Sequence, residues 1–433
     1  MIEKQKNAII VSLNNKTSEI KQLAHSLNYH VVKEFIQHRK TPDTNSYIGP
    51  GKIEEIKEII ESYKENIDLV IINGILKPSQ WFILEKKLNT NVYDRIRLIL
   101  EIFAERAERK EAKLQVKLAQ LQYERPFVRE LIHRTRAGEH PGFMAGGEYQ
   151  VDDYYEMIKR QMKKIREDLE KIRKSREIHR QNRYKSGFYL VSLAGYTNAG
   201  KSSLLNLLSN EKVKVEGKLF STLSTITRKI ENKTTNKKKI PILLTDTVGF
   251  IQDLPSWIID AFHSTLEEIK TADVVILVAD ISEKKEAVEK KLKVSLKELQ
   301  EIGVTAPIII ALNKIDTMSN KENKELTTKI KYIQQKKLIN NKKYVPISVQ
   351  EKKNISTLLN TVYDLLPQKS KIKIHLPINR DTQAFISHLY EKTHITHIKY
   401  TNNTINIDIE CNEKIKNKII SKCKKLNGSI ISS

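Results

Sequence analysis

Two cysteines, Cys411 and Cys423, are all that 433 residues contain. A pair so sparse builds neither a disulfide framework nor a four-ligand zinc site, and it suits a reducing interior. Long apolar runs are missing as well. None approaches the roughly 20 residues that cross a bilayer. The opening MIEKQKNAIIVSLNNK lacks the apolar core of a secretory leader. The expectation is a soluble, cytoplasmic protein. Acidic residues are in deficit, with 52 Asp and Glu against 76 Lys and Arg, a net charge of +24. Such an excess favours polyanionic partners, nucleic acid first and an anionic membrane surface second. It is spread along the chain, with one dense run at 171–185, KIRKSREIHRQNRYK. Glycine is scarce too, at 14 residues, so a stretch rich in it stands out.

One such stretch organises the chain. Gly195, Tyr196, Thr197, Asn198, Ala199, Gly200, Lys201 and Ser202 read G-x-x-x-x-G-K-[ST], a phosphate-binding loop. The apolar run 188–194 before it has the length of a buried strand. The segment 201–208 after it, which includes Ser203, has helical spacing. Gly195 and Gly200 let the backbone wrap closely, so that its N–H groups point at phosphate oxygens. The following helix adds the positive end of its dipole. Lys201 reaches the β- and γ-phosphates, and the Ser202 hydroxyl ligates Mg²⁺.

Further along, an apolar run at 240–245 ends in Asp246, Thr247, Val248 and Gly249. The aspartate suits the metal side of such a site, and the Gly249 N–H suits the γ-phosphate. A run at 306–312 ends in Asn313, Lys314, Ile315 and Asp316, the guanine-reading N-K-x-D. The Asp316 carboxylate accepts from N1–H and from the exocyclic amine, two donors that adenine lacks there. Leaving that carboxylate unpaired costs roughly several kcal/mol, which selects GTP and GDP over adenine nucleotides. Asn313 and Lys314 brace the base pocket. A short strand at 344–347 ends at Ser348, Val349 and Gln350, whose backbone N–H groups suit the guanine O6. All four motifs close strands, and ligands in open α/β sheets bind at the carboxyl ends of strands. The threonine that senses the γ-phosphate through Mg²⁺ falls between Ser202 and Asp246. Thr222, Thr225 and Thr227 are the candidates, Thr222 within Phe220, Ser221, Thr222, Leu223 and Ser224. Phe250 follows Gly249 directly. In Ras-like enzymes that place holds the glutamine that orients the attacking water; phenylalanine has no group for this, so Asp253 or a group of a partner must supply it.

The rest of the chain frames this domain. Residues 1–94 alternate strands (7–13, 29–35, 68–76, 91–93) with helices (18–27, 52–64, 78–88), the pattern of a parallel α/β domain. A turn-rich segment at 41–52 precedes a helix and is either an anion-binding helix start or a loop with a cap. A helix over 95–125 carries Leu100, Phe103 and Ala107, then Leu114, Leu118 and Leu121. A second over 152–179 places Met157 or Ile158, Met162, Ile165, Leu169 and Ile172 at coiled-coil spacing. The two are expected to pack as an antiparallel hairpin. Between them, 135–148 holds Gly138, Gly142, Gly146 and Gly147 and reads as a non-helical loop. After the nucleotide domain, the order is strand 371–376, helix 382–391, strands 395–400 and 404–410 about an Asn402-Asn403 turn, and helix 413–425. The domains are therefore 1–94, a nucleotide- or RNA-interacting α/β domain; 95–184, a helical hairpin; 185–368, the nucleotide domain; and 369–433, a small α+β domain.

At these residues the chain resembles the HflX GTPases of the translation-factor-like class. Besides the nucleotide motifs, the resemblance runs through Tyr47-Ile-Gly-Pro-Gly-Lys52, Tyr93-Asp-Arg95, 98–104 (LILEIFA) and 113–121 (KLQVKLAQL). Phe220-Ser-Thr-Leu223 looks like the family's F-A-T-L, which favours Thr222 over its rivals. The resemblance implies a Ras-like domain between an N-terminal α/β domain with its helical linker and a C-terminal domain, binding to the large ribosomal subunit and, in many members, subunit separation under stress; a monomer is expected. It implies catalysis by Lys201, Thr222 and Gly249, with Mg²⁺ held by Ser202, Thr222 and Asp246. Related GTPases use an asparagine at the place of Asn198 to hold K⁺ near the phosphates. There are departures. The loop between the helices reads AGEHPGFMAGGE where the family is richer in glycine, Ser224-Thr225 replaces an Asp-Pro, and Val349 stands where alanine is usual. The competing reading is an RNA-binding or membrane-surface switch that hydrolyses GTP only to reset itself.

Overall fold

A computed structural model describes residues 6–63, 66–136, 148–185, 188–209, 225–230, 242–250, 255, 257–258, 263–317, 323–336, 338, 342–367, 369–401 and 403–432. They group into two compact units, one of the residues up to Ile172 together with those described within 251–264, the other of the remaining residues.

In the first unit, β1 (Lys6–Ser12), β2 (Tyr29–Ile36), β3 (Leu69–Ile72) and β4 (Val92–Asp94) form a parallel sheet in the order β2-β1-β3-β4. Ala8, Ile9, Ile10 and Val11 are all fully buried, as a strand covered on both faces requires. Helices α1 (Ser18–Ser26), α2 (Pro50–Ser62) and α3 (Pro78–Leu88) connect the strands, with proline at the first position of α2 and α3. The expected strand 68–76 stops at Ile72: the Asn73 N–H makes the last bond of the ladder, to the Val11 carbonyl at 2.8 Å, and the Gly74 N–H turns back to the Ile72 carbonyl.

The expected helix 95–125 is two helices, α4 (Arg95–Arg106) and α5 (Lys110–Arg136). The fully buried Asp94 caps α4 through the Arg97 N–H at 2.8 Å, while its other oxygen takes the Leu76 N–H. Burial raises its pKa, against the pull of these hydrogen bonds. Arg95 pairs with Glu19 at 2.7 Å. The Tyr93-Asp-Arg95 triplet thus ties strand, helix and sheet together. Helix α5 runs through Pro126. A proline inside a helix costs about 3 kcal/mol. Opposing that cost, the next residue, Phe127, sets its ring edge-on to Trp81 at 5.4 Å and against Tyr123 at 4.7 Å, and Val128 is buried. Helix α6 (Glu148–Lys185) shares an apolar seam with α5 through Leu118, Leu121, Ile158, Met162 and Ile165. Of the two candidates for the first seam position, Ile158 is buried and Met157 is exposed. Residues 137–147 lie outside the described residues.

In the second unit a six-stranded sheet runs β10-β9-β8-β5-β7-β6. Its strands are β5 (Tyr189–Gly195), β6 (Ile226–Ile230), β7 (Ile242–Asp246), β8 (Val274–Asp280), β9 (Ile308–Asn313) and β10 (Lys343–Pro346). All neighbours are parallel except β6, which is antiparallel to β7. The helices are α7 (Lys201–Leu208), α8 (His263–Lys270), α9 (Lys285–Glu301), α10 (Asn323–Gln335) and α11 (Ile355–Leu365). The C-terminal sheet contains β11 (Lys369–Pro377), β12 (His394–Tyr400), β13 (Thr404–Asn412) and β14 (Ser429–Ser432), all antiparallel, in the order β12-β13-β11-β14. With α12 (Arg380–Lys392) and α13 (Glu413–Lys425) it makes a βαββαβ unit. The alternation in 404–410 is confirmed: Ile405, Ile407 and Ile409 are buried. Strand β14 is an addition to the expected order; its four residues carry too short a pattern to read alone.

Candidate functional site

The carboxyl ends of β5, β7, β9 and β10 bring the sequence motifs to one edge of the six-stranded sheet. At the end of β5, Gly195 has φ +136° and a Cβ there would lie 2.2 Å from the Val278 carbonyl oxygen. Gly200 has φ +99°, and its Cβ would lie 2.3 Å from the Asn313 amide nitrogen. Neither position admits a side chain, so the loop backbone lies directly against β8 and against Asn313. Asn198 at the exposed tip takes the left-handed conformation. Ala199 is buried in the core of the domain. Tyr196 is buried, with the Lys291 ammonium 5.5 Å from its ring centre. Thr197 and Ser203 are half-buried.

Lys201 begins α7 and is 6% exposed. Its ammonium donates to the Tyr196 carbonyl at 2.9 Å. Burial lowers its pKa to about 8, and the nearby Asp246 charge opposes the shift. Ser202 Oγ donates to Asp246 Oδ2 at 2.6 Å, both groups being buried. Behind Asp246, the Thr247 hydroxyl donates to the Leu193 carbonyl at 2.7 Å. Val248 is buried. A Cβ on Gly249 would lie 2.8 Å from Lys201 Nζ and 2.8 Å from Thr197 Cγ2. Phe250 then pairs with the loop: its N–H donates to the Gly195 carbonyl at 3.0 Å, and its carbonyl accepts from Thr197 at 3.1 Å. The Phe250 ring is buried.

The N-K-x-D end of the site is built on Asn313. Its amide nitrogen donates to the Ala199 carbonyl at 2.9 Å, and its oxygen accepts the Val349 N–H at 3.2 Å. Lys314, at φ +69°, pairs with Asp280 Oδ2 at 2.6 Å. Ile315 and Asp316 lie in a 3₁₀ turn, Ile315–Thr317. The Ser348 hydroxyl donates to Asp316 Oδ1 and in turn accepts the Glu351 N–H at 2.9 Å. Val349 is half-buried and Gln350 exposed. Sequence reasoning passes over Asp280, which closes the apolar run VVILVA of β8; an acid ending such a run was the available signal.

Phe220, Ser221, Thr222, Leu223, Ser224 and Asp253 lie outside the described residues. Of the rival threonines, Thr227 faces Thr245 across the β6–β7 pair, hydroxyl to hydroxyl at 2.9 Å, and is a strand residue. Thr225, half-buried, directly precedes β6. At the segment 41–52, the Gly49 N–H donates to Gln37 Oε1 at 3.0 Å and Asp43 takes the Asn45 and Ser46 N–H groups. Among the described residues no helix is long and apolar enough to cross a membrane.

Residues 14–104 match the family model described as GTP-binding GTPase N-terminal, 106–183 match GTP-binding GTPase Middle Region, and 190–314 match 50S ribosome-binding GTPase. A GTPase HflX of Thermococcus kodakarensis is 44% identical over 361 residues, covering 82% of this chain and 80% of the relative. A GTPase HflX of Methanocaldococcus jannaschii is 40% identical over 403 residues, covering 93% and 94%. A crystal structure of a GTP-binding protein from Sulfolobus solfataricus in complex with GDP is 30% identical, covers 83% of this chain and 98% of its own, and has a TM-score of 0.46. A buried phosphate-loop lysine beside D-x-x-G, an N-K-x-D braced to that loop, and relatives matched over most of their length converge: the chain belongs to the HflX family of GTPases.

Proposed function

We propose that this protein hydrolyses GTP to GDP and phosphate while bound to the large ribosomal subunit, in the cytoplasm and as a monomer. The observation that carries the reading is the meeting of Lys201, Ser202, Asp246 and Gly249 at one sheet edge, with Asn313 joining that group to Asp316 and Ser348. Lys201 Nζ, held by a carbonyl of its own loop and pressed close to Gly249, is placed to exchange that carbonyl for β- and γ-phosphate oxygens. The Gly249 backbone leaves room for the γ-phosphate where any side chain would fill it. Asp316 and Ser348 read the guanine edge, and the Lys314–Asp280 pair holds the reading loop in its left-handed turn.

The Ser202 hydroxyl and Asp246 carboxylate form an all-oxygen pair that fits Mg²⁺, with Thr222 proposed as the third contributor on its motif alone. Bound there, Mg²⁺ neutralises charge on the β- and γ-phosphates. Asn198, at the exposed tip, is the proposed holder of K⁺. In the reaction a water oxygen bonds to the γ-phosphorus as the bond to the β,γ-bridging oxygen breaks, and GDP leaves with that electron pair. Lys201 and the loop N–H groups stabilise the charge that moves onto the bridging oxygen. Phe250 offers no group to orient the water, and its ring is turned into the protein. A ribosomal group therefore completes the site, and the free protein is slow. The same dependence suits action on stalled or idle ribosomes, including separation of their subunits.

The test is GTPase rate and co-sedimentation on the same samples, with and without large subunits, across a range of salt. Stimulated turnover and GTP-dependent pelleting are expected. Equal rates with and without ribosomes would refute the reading. Pelleting with naked RNA or anionic vesicles but not with ribosomes would favour an RNA or membrane switch instead.

A further inference from the structure

We infer that the outer face of helix α13 in the C-terminal βαββαβ unit is an RNA-phosphate contact surface; this rests on the ribosomal reading above and adds where the contact is made. The three matched family models end at residue 314, so none covers this unit.

The inner face of α13 is apolar and packed, with Ile419 and Cys423 buried and Leu426 against the same core. Its outer face is basic. Lys418, Lys422, Lys424 and Lys425 are exposed, and Glu413 at the first position is the helix's one acid. Lys418, Lys422 and Lys425 follow one another at spacings of four and three and so share a stripe about 10 Å long. None of the four side-chain ammonium groups has an ion-pair or hydrogen-bond partner among the described residues. The opposite surface of the same unit is treated differently. On the open face of the sheet, Lys373 meets Asp408 at 3.4 Å and Lys371 meets Glu410 at 3.9 Å, and His375 Nδ1 shares a hydrogen bond with Asn406 at 2.6 Å.

This asymmetry identifies the face and its partner. Four-stranded sheets of this topology that bind RNA on the sheet do so by stacking bases on aromatic rings. The central strands β11 and β13 carry no Phe, Tyr or Trp, and Lys371 and Lys373 each face an acid on the neighbouring strand. The helix stripe, in contrast, repels itself, because like charges at these spacings each cost a few tenths of a kcal/mol, roughly. Phosphates at the spacing of a nucleic-acid backbone remove that cost and release counterions. A stripe of lysines without aromatics or bidentate arginine holds a backbone without reading its sequence.

The experiment uses the full chain and three probes: purified large ribosomal subunits, the RNA extracted from them, and phosphatidylserine/phosphatidylcholine vesicles. The variant is Lys418→Gln/Lys422→Gln/Lys425→Gln, and the control is Lys371→Gln/Lys373→Gln on the sheet face. For the helix variant, the slope of log affinity against log salt on subunits and RNA should fall by about 2 to 3, and affinity near 50 mM salt by roughly tenfold or more. GDP affinity, intrinsic GTPase rate and melting temperature should stay as in the wild type, and the sheet-face control should keep the wild-type slope. If wild-type protein binds subunits and the helix variant binds them with the same slope and affinity, the inference is overturned while the proposed function stands. An equal loss in both variants, or a loss confined to vesicles, overturns it as well. If the wild type fails to bind subunits at all, both readings fall.

Discussion

Truncating Asn313 to alanine should detach the base-reading loop from the phosphate loop. Its amide spans the two, donating to the Ala199 carbonyl at 2.9 Å and accepting the Val349 N–H at 3.2 Å. Ala199 is buried, so its carbonyl loses its partner without gaining water, at a cost of about 1–3 kcal/mol. Val349 is half-buried and recovers part of its hydrogen bond from solvent, so its share is about 0.5–1 kcal/mol. The sum is about 1.5–4 kcal/mol. In a domain of this size that lowers the melting temperature by roughly 3–16 °C. GDP affinity should fall by about tenfold or more, because each 1.4 kcal/mol lost from the organised pocket is a factor of ten. The assays are thermal unfolding of the full chain, followed through the nucleotide domain, and a GDP titration. Asn313→Asp separates the two bonds. It keeps an acceptor for Val349 but sets a carboxylate against the Ala199 carbonyl, so it should be at least as damaging as alanine. A melting temperature within about 2 °C of wild type together with unchanged GDP affinity in both variants would refute the bracing role.

Asp316→Asn should bind GTP poorly and gain xanthosine triphosphate, since the donor and acceptor pattern inverts at one edge; unchanged GTP affinity in a titration sinks the guanine assignment. Lys201→Met should stabilise the nucleotide-free protein at pH 7. The ammonium is held at about 8, below its ordinary 10.5, so burying the charge penalises folding fully below pH 8, and the penalty is relieved as pH rises toward 10.5. The gain, on the order of 2 kcal/mol after the lost hydrogen bond to Tyr196, should therefore shrink over that window, and a difference in melting temperature that ignores pH contradicts the assignment. GTP hydrolysis should be faster in K⁺ than in Na⁺ at matched ionic strength, and Asn198→Ala should abolish that preference; equal wild-type rates in the two salts remove K⁺ from the site.

Much of the nucleotide site was legible because its signals are local. A glycine spacing, a lysine, and an aspartate closing an apolar run are features of a few consecutive residues, and backbone geometry ties each to a strand end. Alternation did the same for Ile405, Ile407 and Ile409, since the side-chain period of a strand is two residues. These residues by themselves determined the strand–loop–helix at 189–208, the place of Asn313-Lys-Ile-Asp316 at the end of a strand and the alternation of the first 94 residues. Tertiary structure alone decided what depends on partners distant in the chain. It broke the 95–125 helix after Arg106 and carried α5 through Pro126, where Phe127 meets Trp81 of α3. It made a strand of Ser429–Ser432 by pairing it with β11. It brought Asn313 to Ala199, 114 residues away, and lowered the pKa of Lys201 by burial. It also set which lysines of the C-terminal unit face acids across a sheet and which stand alone on a helix. Local propensity is written in neighbours; burial, pairing and charge balance are set by whichever surfaces the folded chain brings together.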